Sequence, residues 1–264
     1  MQTVSSTYTS IMAGSHWFET QLEIRQPNAD VSNLTDDTLI GTYGEDKLFS
    51  ISTSSQMLQS TFEIGGAIAA EIDIKMVEPT EFIPPMAMLI PYARVCNDTQ
   101  YSEWLMQGVF FIDTRQHTVS STGEDVLVLH GYDAMLKSEQ MHTTIFTDEF
   151  DKTLVKNIAK AMGLFTYDEN NQKVPLVDPR TWDIIPNTNI GIYNFKFSGT
   201  PSYAMRDTLR NIACAYAGWF IITEKGYLRL ISVTEFPRET NYLTTESYSP
   251  IVFGTGANAT KILV

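Results

Sequence analysis

Residues 62–77, FEIGGAIAAEIDIKMV, place the strongest constraint on how this chain folds. In the second half of the segment Ile72, Ile74 and Met76 alternate with Glu71, Asp73 and Lys75. A period of two residues specifies a strand with one apolar and one wet face. The small residues before it (Gly65, Gly66, Ala67, Ala69, Ala70) suit a sharp bend or a close backbone approach. The chain is therefore predicted to enter a half-buried strand through a flexible corner.

Similar signals recur along the chain. A first strand is expected over 16–25 and short ones near 38–41 and 48–52, separated by a polar stretch carrying Pro27, Asn28 and Asp30. Residues 1–15 are small and polar, an arm that is either disordered or ordered against a partner. Residues 86–95, MAMLIPYARV, form an apolar strand that Pro91 should confine to an edge or a bulge. Residues 104–114 and 126–132 then make a long hairpin. Strands at this spacing are what a small β-barrel or sandwich requires.

The pattern changes at residue 134. Thr147, Asp148 and Glu149 predict a helix start, followed by Phe150, Leu154, Ile158 and Met162 at a spacing of four and closed by Gly163. Thr200-Pro201-Ser202 predicts a second helix with Met205, Leu209, Ile212, Ala213 and Tyr216 on its apolar stripe. A hairpin over 219–231 turns at Gly226. The expected organisation is a flexible arm over 1–15, a first β domain over 16–133, an α+β domain over 134–231 and the start or remnant of a second β domain over 232–264.

Charge narrows the function. The chain has 264 residues, 18 basic against 31 acidic, for a net charge of −13. Such a surface repels phosphate backbones, so sequence-specific nucleic-acid binding is not expected. No apolar run is long enough for a transmembrane segment and no leader pattern opens the chain, which implies synthesis in the cytoplasm. Cys96 and Cys214 read as buried thiols.

Chemistry-bearing motifs are sparse. His16, His117, His130 and His142 have no metal-ligand spacing, so no metal and no cofactor are expected. Glu71 and Asp73 share a strand face, which a solvated surface explains without a glycosidase-like pair. The glycine-rich run at 254–259 lacks the βαβ setting of a dinucleotide site. No catalytic residue is assigned, and the aromatic residues read as core or interface anchors.

In order and spacing, several segments resemble the tail hub, or baseplate hub, proteins of tailed phages, prophages and contractile injection systems. They are 62–66 leading into 71–76, GVFFID at 108–113, LHGYDAML at 129–136, and 209–230 with its AGWFI and GYL pieces. The resemblance implies a mainly β fold with an α+β insertion and barrel-like β domains. It also implies a homotrimer that joins the hexameric tail tube, near the end of the tape-measure protein, to a distal spike or fibre protein. The location would be a virion or tail-like particle made in a bacterial host cytoplasm. A carbohydrate-binding adsorption module and a cell-wall hydrolase are the alternatives. The residues expected at interfaces are Gly65 and Gly66 at the bend, Glu71, Asp73 and Lys75 on the charged strand face, and Trp104, Phe110 and Phe111.

Overall fold

The computed structural model describes residues 4–55, 64–119, 123, 125–185, 196–233, 252–253 and 260–261. It divides into two compact units, residues 1–231 and 232–264. In chain order the first unit begins with α1 (Ser6–Met12), β1 (Trp17–Arg25), β2 (Leu39–Tyr43), β3 (Leu48–Ser54), β4 (Gly66–Ala67) and β5 (Glu71–Val77). It continues with β6 (Met88–Cys96), β7 (Leu105–Met106), β8 (Phe110–Val119) and β9 (Asp125–Asp133). A 3-10 turn (Ala134–Glu139) leads to β10 (Phe146–Phe150), α2 (Asp151–Ala161), β11 (Phe165–Tyr167), β12 (Lys173–Pro175) and α3 (Thr181–Ile184). Then follow β13 (Lys196–Gly199), α4 (Met205–Ala215), β14 (Gly218–Ile222) and β15 (Leu228–Ser232). In the second unit, β16 (Val252–Phe253) pairs with β17 (Thr260–Lys261).

The main sheet has eight strands in the order β2-β1-β6-β8-β9-β5-β3, with β7 added to β6. Strand β5 behaves as its alternation requires: Ile72, Ile74 and Met76 are fully buried, and Glu71, Asp73 and Lys75 are exposed. It lies between β3 and β9, with Ile74 opposite both Ile51 and Leu129.

The expected barrel does not form. The sheet runs as an open path, and among the described residues its end strands β2 and β3 do not pair with each other. Closure requires a staggered ladder between every neighbouring pair of strands. Here β6 and β8 share only Met88↔Phe111 and Leu89↔Phe110, a short ladder at the middle of the sheet. The sheet still curves, since Leu22, Tyr43, Ile74, Leu89, Phe110 and Leu129 share one apolar cluster. The architecture is a mixed α+β fold with several open sheets.

Strand β6 is interior, not an edge. It pairs with β1 along its whole length, from Trp17↔Cys96 to Arg25↔Met88. Pro91 sits where its other flank changes partner, between Leu89, which pairs with β8, and Tyr92, which pairs with β7. The chain tolerates a proline where the ladder is already interrupted. On this strand and on β8 successive apolar residues serve opposite faces. Leu89 and Phe110 enter the cluster inside the curved sheet; Met88, Ile90 and Phe111 enter a second cluster formed with α2, α4, β14 and β15.

Both long helices begin later than expected. Residues 146–150 extend as β10 against β13, so α2 starts at Asp151. Residues 200–204 form a turn tied to the preceding segment by the Met205 amide donating to the Gln140 carbonyl (3.0 Å), so α4 starts at Met205. The capping residues identified in the sequence compete for turns and strand ends as readily as for helix starts. Of the stripes, Leu154, Ile158 and Met162 on one helix and Met205, Leu209, Ile212 and Ala213 on the other are buried; Phe150, which lies in β10, is exposed and Tyr216 is half-buried. Near the N-terminus, α1 is ordered within the chain, with Ile11 buried and the Ser5 amide donating to Glu103 Oε1 at 2.7 Å.

Candidate functional site

The glycine corner is where the sheet is joined to the helical half. Gly65 has φ +95°, and a Cβ there would lie 2.0 Å from Cys214 Sγ and 3.1 Å from the Arg210 carbonyl oxygen of α4. Its amide donates to the Gly218 carbonyl (2.9 Å), and β4 then runs parallel to β14, Gly66 opposite Trp219 and Ala67 opposite Phe220. A Cβ on Gly66 would sit 2.4 Å from the Trp219 ring. The close approach expected of this pair is thus made within the chain, to α4 and β14. Residues 62 and 63 lie outside the described residues. Cys214, expected to be buried, is exposed, and its thiol donates to the Ile64 carbonyl (3.4 Å); Cys96 is buried as read.

A second stitch lies one turn further on. The Asp133 amide donates to the Ala70 carbonyl (2.9 Å), and the Asp133 carboxylate accepts from the amides of Ala70 (3.0 Å) and Met135 (2.8 Å). It therefore caps the 3-10 turn while holding the approach to β5. Burial pushes its pKa up to about 7, against the opposing pull of those two amides and of Arg206. The sequence signal for this residue was an aspartate immediately before the apolar run at 134–136.

On the wet face of β5, Asp73 Oδ1 lies 2.8 Å from Nδ1 of His130, its cross-strand partner on β9, and the His130 ring meets Tyr132 edge-on. Glu71 and Lys75 remain exposed beside them. Trp104 is half-buried, with the Arg94 guanidinium 4.4 Å from its ring centroid and 4.5 Å from that of Tyr101. Arg94 also donates to Glu19 Oε2 at 2.6 and 2.8 Å, which with its charge holds the Glu19 carboxyl below its ordinary range. Glu19 and Arg94 face each other across β1 and β6, and sequence reading missed them because strand pairing alone brings them together. Phe110 and Phe111 are buried on opposite sides of the sheet.

Among the described residues, two cavities border the helical half. One, of about 440 Å³, lies between the 140–146 segment and α2; His142 Nε2 is 2.8 Å from Thr208 Oγ1 there, and burial lowers the histidine pKa. The other, of about 280 Å³, lies among the 27–31 loop, the start of β8, the 3-10 turn and residues 163–167. Each has a single carboxylate in its lining, Glu149 in the first and Asp30 in the second. A glycosidase site needs two converging carboxylates. Among the described residues no group of three or more His, Cys, Asp and Glu side chains could hold a metal ion, and no helix is long and apolar enough to cross a membrane.

In the smaller cavity the Lys137 ammonium lies 3.8 Å from the centroid of the Phe111 ring, and burial lowers its pKa. Among the described residues it has no ion-pair partner. Asp30, on the same lining, is engaged elsewhere: Oδ1 accepts from the Ser32 amide and hydroxyl (2.9 and 2.6 Å) and Oδ2 from the Thr166 hydroxyl (2.6 Å). A cation–π contact is worth about 0.5–2 kcal/mol, while desolvating an ammonium costs several. Lys137 is half-buried, so its ammonium is only partly desolvated beside the ring.

No protein-family model matches the chain, and no curated protein sequence does. Among solved structures it is similar to the 43 kDa tail protein of prophage MuSo2 from Shewanella oneidensis, at 12% identity and a TM-score of 0.48, over 83% of this chain and 56% of that one. It is also similar to a tail protein from Neisseria meningitidis (12% identity, TM-score 0.43, 89% and 53% covered). A third likeness is to a prophage tail protein from Listeria monocytogenes (9% identity, TM-score 0.42, 86% and 55% covered). The chain spans just over half the length of these proteins. At such scores the likenesses are distant and carry no activity or partner across to this chain.

Proposed function

We propose that this chain is a structural component of a phage tail or phage-tail-like injection particle. In this reading three copies form a hub that joins the hexameric tail tube to a distal spike or fibre protein and meets the end of the tape-measure protein. One observation carries it: the segments on which the sequence resemblance rests meet in a single framework. Gly65 and Gly66 dock on 218–220, β5 pairs with β9, β9 pairs with β8, and Asp133 returns to Ala70.

The open sheet supports the same reading. Strand β3 ends the ladder and carries Phe49, half-exposed, at an irregularity between Leu48 and Ser50. An end strand is a surface on which a neighbouring copy can add a strand. Glu71, Asp73, Lys75 and Trp104 are the accessible members of the expected interface set, and Gly65, Gly66, Phe110 and Phe111 would act by shaping the elements that bear them. The adsorption-module alternative needs a cluster of free aromatic faces; Arg94 covers one face each of Tyr101 and Trp104, while Trp17, Phe18 and Phe82 stay exposed.

Size-exclusion chromatography with light scattering tests the proposal. The expected species has three times the chain mass of 29.7 kDa, with threefold particles in negative-stain images. A monomer at every concentration, with no such particles, overturns it.

A further inference from the structure

We propose that the cavity beside Lys137 is a binding site for a carboxylate carried on a short apolar body. The inference rests on the cavity alone and does not depend on the tail reading.

The cavity has the two parts such a ligand needs. Its volume of about 280 Å³ falls at the lower end of small-molecule pockets. Met88, Val109, Phe111 and Leu164 line it and are buried, with Phe165 and Ile222 completing the apolar wall. Lys137 is the cation of a lining that also carries Asn28, Asp30 and Tyr167. Lys137 projects from the 3-10 turn against the face of Phe111, and among the described residues no carboxylate pairs with it. Asp30 is the acid on the same lining, and its oxygens already accept from Ser32 and Thr166. Hydrogen bonds from Ser32 and Thr166 hold Asp30 without removing its charge, so an incoming carboxylate is favoured only where it meets the Lys137 ammonium directly. The apolar wall in turn selects an aliphatic or aromatic body over a bare inorganic ion.

Two sources offer this chemistry, a free aliphatic acid and the C-terminal carboxylate of a peptide with an apolar last residue. Isothermal titration of the full chain separates them, with octanoate against octanol and N-acetyl-leucine against its amide. At least one acid is expected to bind roughly tenfold more tightly than its neutral counterpart. Octanoate alone showing the preference identifies a free acid, and N-acetyl-leucine alone a peptide end. Lys137→Gln should bring acid and neutral partner to equal affinity, and Lys137→Arg should retain most of the preference. Should the glutamine variant fail to fold, the wild-type chain serves, since the preference must vanish as rising pH deprotonates Lys137. The proposal is overturned if neither acid binds, if acids and neutral analogues bind alike, or if Lys137→Gln keeps the preference.

Discussion

At the scale of single residues, the fold hangs on side chains and missing side chains at the corner between its halves. Gly65 combines a left-handed backbone with a Cβ site already occupied by Cys214 Sγ. Gly65→Ala should therefore cost about 2–4 kcal/mol, from backbone strain plus overpacking. Part of that loss should return in the Gly65→Ala/Cys214→Ala double variant; equal shifts of the urea midpoint in both backgrounds would show that the two residues do not meet. Asp133 makes a different prediction. Its folded pKa of about 7 stands above its ordinary value of 3.8, so the fold favours the neutral acid. The stability this contributes is complete below about pH 4 and is lost as pH rises through about 7, with a ceiling of about 4 kcal/mol. His142, whose pKa is lowered, acts in the opposite sense over part of that window, so the readout is the difference between wild type and Asp133→Asn. That difference should change with pH between 4 and 7, and a flat difference would contradict the assignment. The sequence marked the glycines as a corner. It held nothing to say that the corner would rest on a helix about 150 residues further along the chain.

Among the elements, β5 was fully legible because its alternation matches the period of the pleat and one face meets a core. Ile74→Ala should cost about 2–4 kcal/mol, since a cavity would open among Leu129, Ile51 and their neighbours. Lys75→Ala, one residue on and pointing outward, should stay within about 0.5 kcal/mol. Urea midpoints at constant m-value would check this contrast, and similar losses at both positions would mean that the register is wrong. Strand β6 was misplaced for a physical reason. Its near-continuous apolar run is the mark of a strand buried on both faces, yet Pro91 argued for an edge or a bulge. Which consideration wins depends on where the flanking ladder breaks, and that is a property of β7 and β8. The helix starts failed similarly: Thr147 and Thr200 are good caps locally, but pairing with β13 and the contact with Gln140 hold those residues out of the helices.

For the molecule as a whole, association through the exposed end of the sheet gives the sharpest expectation. Phe49→Asp should abolish assembly while leaving the melting temperature of the monomer within a degree or two, because the ring is half in solvent. Light scattering and thermal unfolding check both parts, and an assembly that survives the substitution would move the contact elsewhere. The candidate site was legible only in part. The charged face of β5 is written in neighbouring residues, but the Arg94–Glu19 pair, the Asp133 stitch and the Lys137 cavity each join residues far apart in sequence. Periodicity, glycine placement and the apolar stripes were enough to establish β1, β5, β8, β9, the β14–β15 hairpin and the bodies of α2 and α4, because those depend on neighbours within a few positions; β10 to β13 and α3 were not read. Whether the sheet closes depends on whether its end strands β2 and β3 come together, and whether a half-buried charge finds a partner depends on which elements meet around it. Both are consequences of long-range packing, and the tertiary structure decided them: an open sheet in place of a barrel, and a lysine facing an apolar cavity.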